Sequence, residues 1–111
     1  MTISTSKRGV SVEYQAVVLF LQTGFEVFIN AAPDGPADLV VWNKDKVYFI
    51  DTKLCQKVQG SSGWFLKNKP SKAQQIPNVI YLGKVDTEWF CLTTPPDELS
   101  EQMPDIIEYC V

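Results

Sequence analysis

The 111-residue chain contains no histidine. That absence excludes Ser-His-Asp and Cys-His catalysis, histidine-ligated zinc hydrolysis and any nuclease whose base is an imidazole. Proton transfer has to come from carboxylates, lysines, tyrosines or water held by a metal. Cysteine is scarce as well: Cys55, Cys91 and Cys110 are odd in number and form no CxxC pair. Neither a disulfide framework nor a zinc knuckle is expected, and reduced thiols fit a cytosolic setting. No apolar run approaches the roughly 18–20 residues that span a bilayer. The stretch from Met1 to Arg8 lacks the apolar segment of a signal peptide. The expectation is a cytoplasmic protein with no membrane partner.

Basic residues are missing from one end of the chain. All ten lysines and arginines fall within residues 1–84, against six acids there, while the seven acids from Asp86 to Glu108 meet no base. The formal charge of −3 therefore conceals a first three-quarters at +4. Local field rather than total charge steers a polyanion. Solvated surface charge with an acidic tail is the plainer reading of the same pattern.

What is present suits one domain over residues 1–111, with an acidic extension from about 94 to 111. An apolar content of 45% with 21% charged residues is ordinary for one hydrophobic core. Residues 10–23 have helical periodicity, with Gly24 as C-cap, and Val10, Glu13, Val17, Phe20 and Leu21 share a face. A glutamate on that apolar stripe is anomalous. Strands are expected at 25–31, 37–42, 46–54, 78–82 and 88–92. Residues 56–70 read as a loop, 72–76 as a short helix capped by Ser71, and 97–103 as a terminal helix. The fold class is α/β: a mixed central sheet flanked by helices, in the order α-β-β-β-α-β-β-α.

The strand at 46–54 carries the strongest signal. Alternate side chains share a face, so Val47, Phe49, Asp51 and Lys53 point one way and Tyr48, Ile50, Thr52 and Leu54 the other. Both faces are largely apolar, the pattern of a strand covered on both sides. A hairpin turning at 43–45 pairs Trp42 with Val47 and so brings Asp38 opposite Asp51. Adjacent carboxylates repel unless a cation lies between them, and such oxygen sites suit Mg²⁺ or Mn²⁺.

Pro36-Ala37-Asp38-Leu39-Val40-Val41 followed by Phe49-Ile50-Asp51-Thr52-Lys53 resembles the bipartite motif of the PD-(D/E)XK nucleases. The family's proline directly precedes the first acid, whereas Ala37 intervenes here. Glu13 matches the glutamate that many members carry on the first helix. Gln74, with Gln75 as competitor, matches the glutamine on the helix after the motif. Pro33-Asp34 and Pro104-Asp105 are decoys, the first a turn and the second followed by no acid-x-lysine. The resemblance covers about residues 7–82 and looks most like the small Holliday-junction-resolvase-type and phage nucleases.

That resemblance implies a restriction-endonuclease-like α-β-β-β-α-β core and a Mg²⁺-dependent endonuclease acting on DNA, first of all branched or junction DNA. A sequence-specific duplex endonuclease, of homing or restriction type, and a non-catalytic nucleic-acid-binding module of the same fold are the alternatives. It also implies that Asp38, Asp51 and Glu13, with the Thr52 carbonyl, hold the metal. Lys53 would orient a water and stabilise the phosphate, and Gln74 would position the nucleophile. Lys7, Arg8, Lys57, Lys67, Lys69 and Lys72 are candidate phosphate contacts; for the four lysines of the loop a solvated surface is the other reading, and their position flanking the proposed site favours phosphate. Trp64, Phe65 and Trp89 read as core or lid residues. A homodimer or higher homo-oligomer is expected by analogy, with the apolar acidic tail at 106–111 as a candidate interface, and a phage-encoded member would work in the host-cell cytoplasm.

Overall fold

In the computed structural model, which describes residues 5–32 and 37–109 and only the backbone of 5–11 and 72, two helices cover one face of a six-stranded sheet. The elements are α1 (Thr5–Gln22), β1 (Glu26–Ile29), β2 (Leu39–Asn43), β3 (Lys46–Leu54), β4 (Gln56–Gly60), β5 (Gly63–Lys67), a 3₁₀ turn (Lys72–Gln74), β6 (Val79–Val85), β7 (Glu88–Cys91), α2 (Asp97–Gln102) and β8 (Ile106–Glu108). The sheet runs β1-β2-β3-β6-β7-β8, and β4 pairs only with β5. Strands β3 and β6 are parallel, as are β7 and β8, while the other pairs are antiparallel. The protein is thus mixed α/β. Among the described residues no helix is long and apolar enough to cross a membrane.

Helix α1 packs on β1, β2 and β3. Its buried stripe is Val12, Ala16 and Phe20, set against Leu39, Val41, Tyr48 and Ile50. The expected stripe was rotated from this one: Leu21 is exposed and Val17 only half-buried. Ala16, at the centre of that stripe, is wholly buried. Glu13 flanks the stripe, half-buried. Beyond β3 the same face is covered by α2, whose Leu99 joins Met103 against Leu82 and Cys91.

The opposite face departs from expectation. Its distal half is covered by the β4–β5 hairpin: Leu66 is buried with Tyr81, Val85, Phe90 and Leu92. Its proximal half is bare, and Phe28, Trp42, Val47 and Phe49 are 55%, 44%, 51% and 45% exposed. Strand β3 is therefore covered fully on one face only. The hairpin itself was expected to be a loop, and the helix at 72–76 shrinks to one 3₁₀ turn between Pro70 and Pro77. Proline removes a backbone donor and disfavours helix in the residue before it, so no second turn propagates. The crossover from β3 to the parallel β6 is consequently made by a hairpin, not by the expected helix. The acidic stretch is folded into the domain, with Ile106 packed on the main core and β8 paired to β7.

Candidate active site

Strands β2 and β3 meet in the expected register, from Asn43 opposite Lys46 to Leu39 opposite Ile50. The register breaks one residue further on. The Asp38 amide donates to the Ile50 carbonyl at 2.8 Å, so Asp38 and Leu39 both oppose Ile50. Two residues facing one make a bulge, and a bulge re-aims a side chain. The Asp38 carboxylate accordingly turns to Thr52: its Oδ2 accepts from the Thr52 amide at 2.7 Å and from the Thr52 hydroxyl at 2.9 Å.

Asn30 pins the backbone that leads into this bulge. Its amide donates to the Asp38 carbonyl at 2.9 Å and its side-chain Nδ2 to the Ala37 carbonyl at 2.8 Å. The Ala32 amide closes an Asx-type turn on Asn30 Oδ1 at 2.9 Å. Neither Asn30 nor the Thr52 hydroxyl was singled out from the sequence. The available signal was the pairing of a short polar residue with each end of the Asp38 segment.

Asp51 is the buried charged residue of the described core, 8% exposed. The Lys53 ammonium lies 3.1 Å from its Oδ2. That ammonium is the partner of Oδ2, which is otherwise a buried oxygen without a hydrogen-bond donor. Burial first, then the nearby Asp38 charge, pushes the Asp51 carboxyl up to about 6 from 3.8, with Lys53 opposing. Glu13 is also raised, first by burial and then by Asp38 and Asp51. The helix thus brings a third carboxylate into the electrostatic range of the pair. A shifted acid beside a charged partner is a frequent property of functional sites and also of structural ion pairs.

The remaining candidates are placed as follows. Tyr81, the neighbour of Asp51 across the β3–β6 ladder, accepts from the Ile76 amide at 2.9 Å through its hydroxyl and so ties down the turn that carries Gln74. Gln74 itself is exposed and spends its side-chain oxygen on the Ser71 amide at 3.0 Å. It caps a turn where a helical residue was expected. Gln75 is half-buried and lines an 800 Å³ cleft with Phe49, Ile76 and Val79. Lys57 lies over the Trp64 ring at 4.4 Å, Lys69 over Tyr109 at 5.8 Å, and Lys67 is exposed. The side chains of Lys7, Arg8 and Lys72 fall outside the described residues, as do Pro36 and Cys110. Trp89 is a core residue, whereas Trp64 and Phe65 are about half exposed on β5.

Among the described residues, no three histidine, cysteine or acidic side chains form a ready-made metal cluster. A two-carboxylate set remains, in which Asp51 Oδ2 is a buried acceptor with only the Lys53 ammonium beside it. That donor chemistry fits Mg²⁺, which keeps several of its waters and is commonly bound through one or two carboxylates plus a substrate phosphate. Comparison of the chain with protein-family profiles, with curated proteins and with solved structures finds no match.

Proposed function

We propose that the protein is a Mg²⁺-dependent endonuclease of the restriction-endonuclease-like fold, hydrolysing DNA phosphodiester bonds at Asp38, Asp51 and Lys53. The observation that carries this reading is a buried carboxylate, raised in pKa, in the field of a second carboxylate and 3.1 Å from a lysine. Burial of a charge with incomplete partners is costly, and a site that has to receive a cation and a phosphate accounts for the cost.

Asp38 and Asp51, with Glu13 and the Thr52 carbonyl as further oxygens, would hold the cation, and Mn²⁺ would substitute for Mg²⁺. Once bound, the cation acidifies water and offsets phosphate charge. The chain's own groups do the rest. Thr52 fixes one oxygen of Asp38 with two donors and so holds that carboxylate beside Asp51. Lys53, whose side chain is 43% exposed, reaches from Asp51 to solvent and can orient a water or stabilise the charge that develops on the phosphate. Gln74 would need to release Ser71 before it could position a nucleophile, so its part in the reaction is subordinate.

Branched or junction DNA is the first substrate on this reading and sequence-specific duplex the second. Cutting two strands calls for two sites, and hence a homodimer. The bare half-face with Phe28, Trp42, Val47 and Phe49 is the apolar surface a second copy would cover. The test is to incubate the wild type and Asp51→Asn with Mg²⁺ or Mn²⁺ on four-way junction, linear duplex and single-stranded DNA. Cleavage by the wild type, lost by about 10³-fold or more in the variant, is expected from removal of a ligand and its charge. Equal cleavage by both, or cleavage by neither with no heat released on Mn²⁺ titration, overturns the reading. The second of those outcomes leaves a binding module.

A further inference from the structure

Charge is distributed along this chain far more unevenly than its total of −3 suggests. Residues 52–85 contain six lysines (Lys53, Lys57, Lys67, Lys69, Lys72 and Lys84) and no acid, so the rest of the chain carries −9. The β4–β5 hairpin stands in the middle of that segment and begins three residues after Lys53. Its inward face is anchored: Leu66 is buried, its amide donates to the Tyr109 hydroxyl at 3.3 Å, and Trp64 meets Phe90 edge-on at 5.9 Å. The hairpin is docked on the sheet.

The way its lysines are held is the telling feature. Trp64 stacks on Tyr109, with ring centroids 5.6 Å apart and planes 27° from parallel. Lys57 lies over the Trp64 ring and Lys69 over the Tyr109 ring. Among the described residues neither lysine has a carboxylate partner, and the ion pair present is Lys53 with Asp51. An aromatic face restrains an ammonium by its quadrupole without cancelling its charge, whereas a carboxylate neutralises it. The stacked pair thus holds two cations in place at full charge. A surface of that kind suits a ligand with regularly repeated single negative charges.

We propose that the hairpin, with the segment just after it, is the arm that grips the phosphate backbone of DNA beside the active site, with Lys57 and Lys69 as its fixed contacts. The proposal takes its placement from the nuclease reading but is tested apart from it. Phosphate contacts release counterions, and each contributes about 0.9 to the slope of log affinity against log salt on duplex DNA. Binding of a labelled DNA duplex and a four-way junction is measured in EDTA, so that nothing is cut, over a range of salt. The proteins are the wild type, Lys57→Gln/Lys69→Gln, Lys57→Arg/Lys69→Arg and, as a control on the β2–β3 turn, Lys44→Gln/Lys46→Gln.

The glutamine pair is expected to flatten the slope by about two and to weaken binding several tens-fold near 0.1 M salt. The arginine pair, which keeps both charge and stacking, should bind as the wild type does, and the control pair should change neither quantity. Unchanged slope and affinity in the glutamine pair, in a variant that melts as cooperatively as the wild type, overturns the proposal even if the wild type cleaves DNA. Loss of binding in a protein that cleaves nothing leaves the arm standing and removes the nuclease. An equal loss in the control pair also overturns it, because the effect would then be one of net charge.

Discussion

Strands β2 and β3 present two apolar faces that look alike in sequence and meet opposite fates. On one, Leu39, Val41, Tyr48 and Ile50 lie beneath α1; on the other, Trp42, Val47 and Phe49 stay about half exposed. Apolar alternation therefore fixes which residues share a face but not whether anything covers it. The covered face has a helix that brings its own complementary stripe. The bare face ends in Asp51 and Lys53, where close packing would shut out a ligand. Stability is concentrated beneath α1, and the candidate chemistry lies where β3 ends, with Asp51 and Lys53 on the bare side and Asp38 and Glu13 towards the helix.

Substitution of adjacent residues on β3 sharpens the contrast most strongly. Ile50→Ala removes a wholly buried side chain and should cost about 2–5 kcal/mol in chemical denaturation. Next comes the buried acid on the second face. The Asp51 carboxyl binds its proton more readily folded, at about 6, than at its ordinary 3.8. Its charge therefore costs nothing below about pH 4, and stability declines as pH rises from there through 6, by about 2–3 kcal/mol for a shift of this size. Denaturant midpoints measured across that window should fall in the wild type, and Asp51→Asn should remove the slope.

A third variant examines how tightly the hairpin closes the distal half-face. A Cβ at Gly83 would sit 2.9 Å from Cys55 Sγ and 3.3 Å from a Leu92 methyl. Gly83→Ala should cost about 1–3 kcal/mol by overpacking, and Cys55→Ala in the same chain should restore part of it. The smallest effect belongs to Phe49→Ala, worth no more than about 1 kcal/mol for a half-exposed strand residue in a monomer. A cost that grows with protein concentration would break the comparison, because it would mean that a second copy covers this face.

Much of this arrangement could be read from the residues, and the failures have identifiable causes. The bounds of β3 and its register with β2 followed from alternation and the short turn, since both are local. Asp38 was placed at the site, but its bulge depends on Asn30 and Thr52, residues distant in sequence that hold it by hydrogen bonds. The hairpin at 56–67 has a weak local signature, because Gln56 to Gly60 offers one apolar residue, Val58. Its stronger signal was Trp64-Phe65-Leu66 bracketed by Gly63 and Lys67. Strand β8 is three residues long and exists through parallel pairing with β7, which no local pattern encodes. Gln74 sits where periodicity predicts a helix, but Pro70 and Pro77 leave no room for one to form.

The hairpin crossover also bears on how the chain reaches this structure. Pairing of β3 with β6 is non-local and requires the ends of residues 55–78 to come together, an entropic cost that grows with the length of free chain between them. Strands β4 and β5 are joined by two residues, Ser61 and Ser62, and can zip within that interval without help from the rest of the sheet. Once zipped, they leave only the segments on either side to be closed, and Leu66 and Trp64 are presented as a ready surface for Phe90. The hairpin would then act early as a staple, shortening the search by which the parallel centre of the sheet is found.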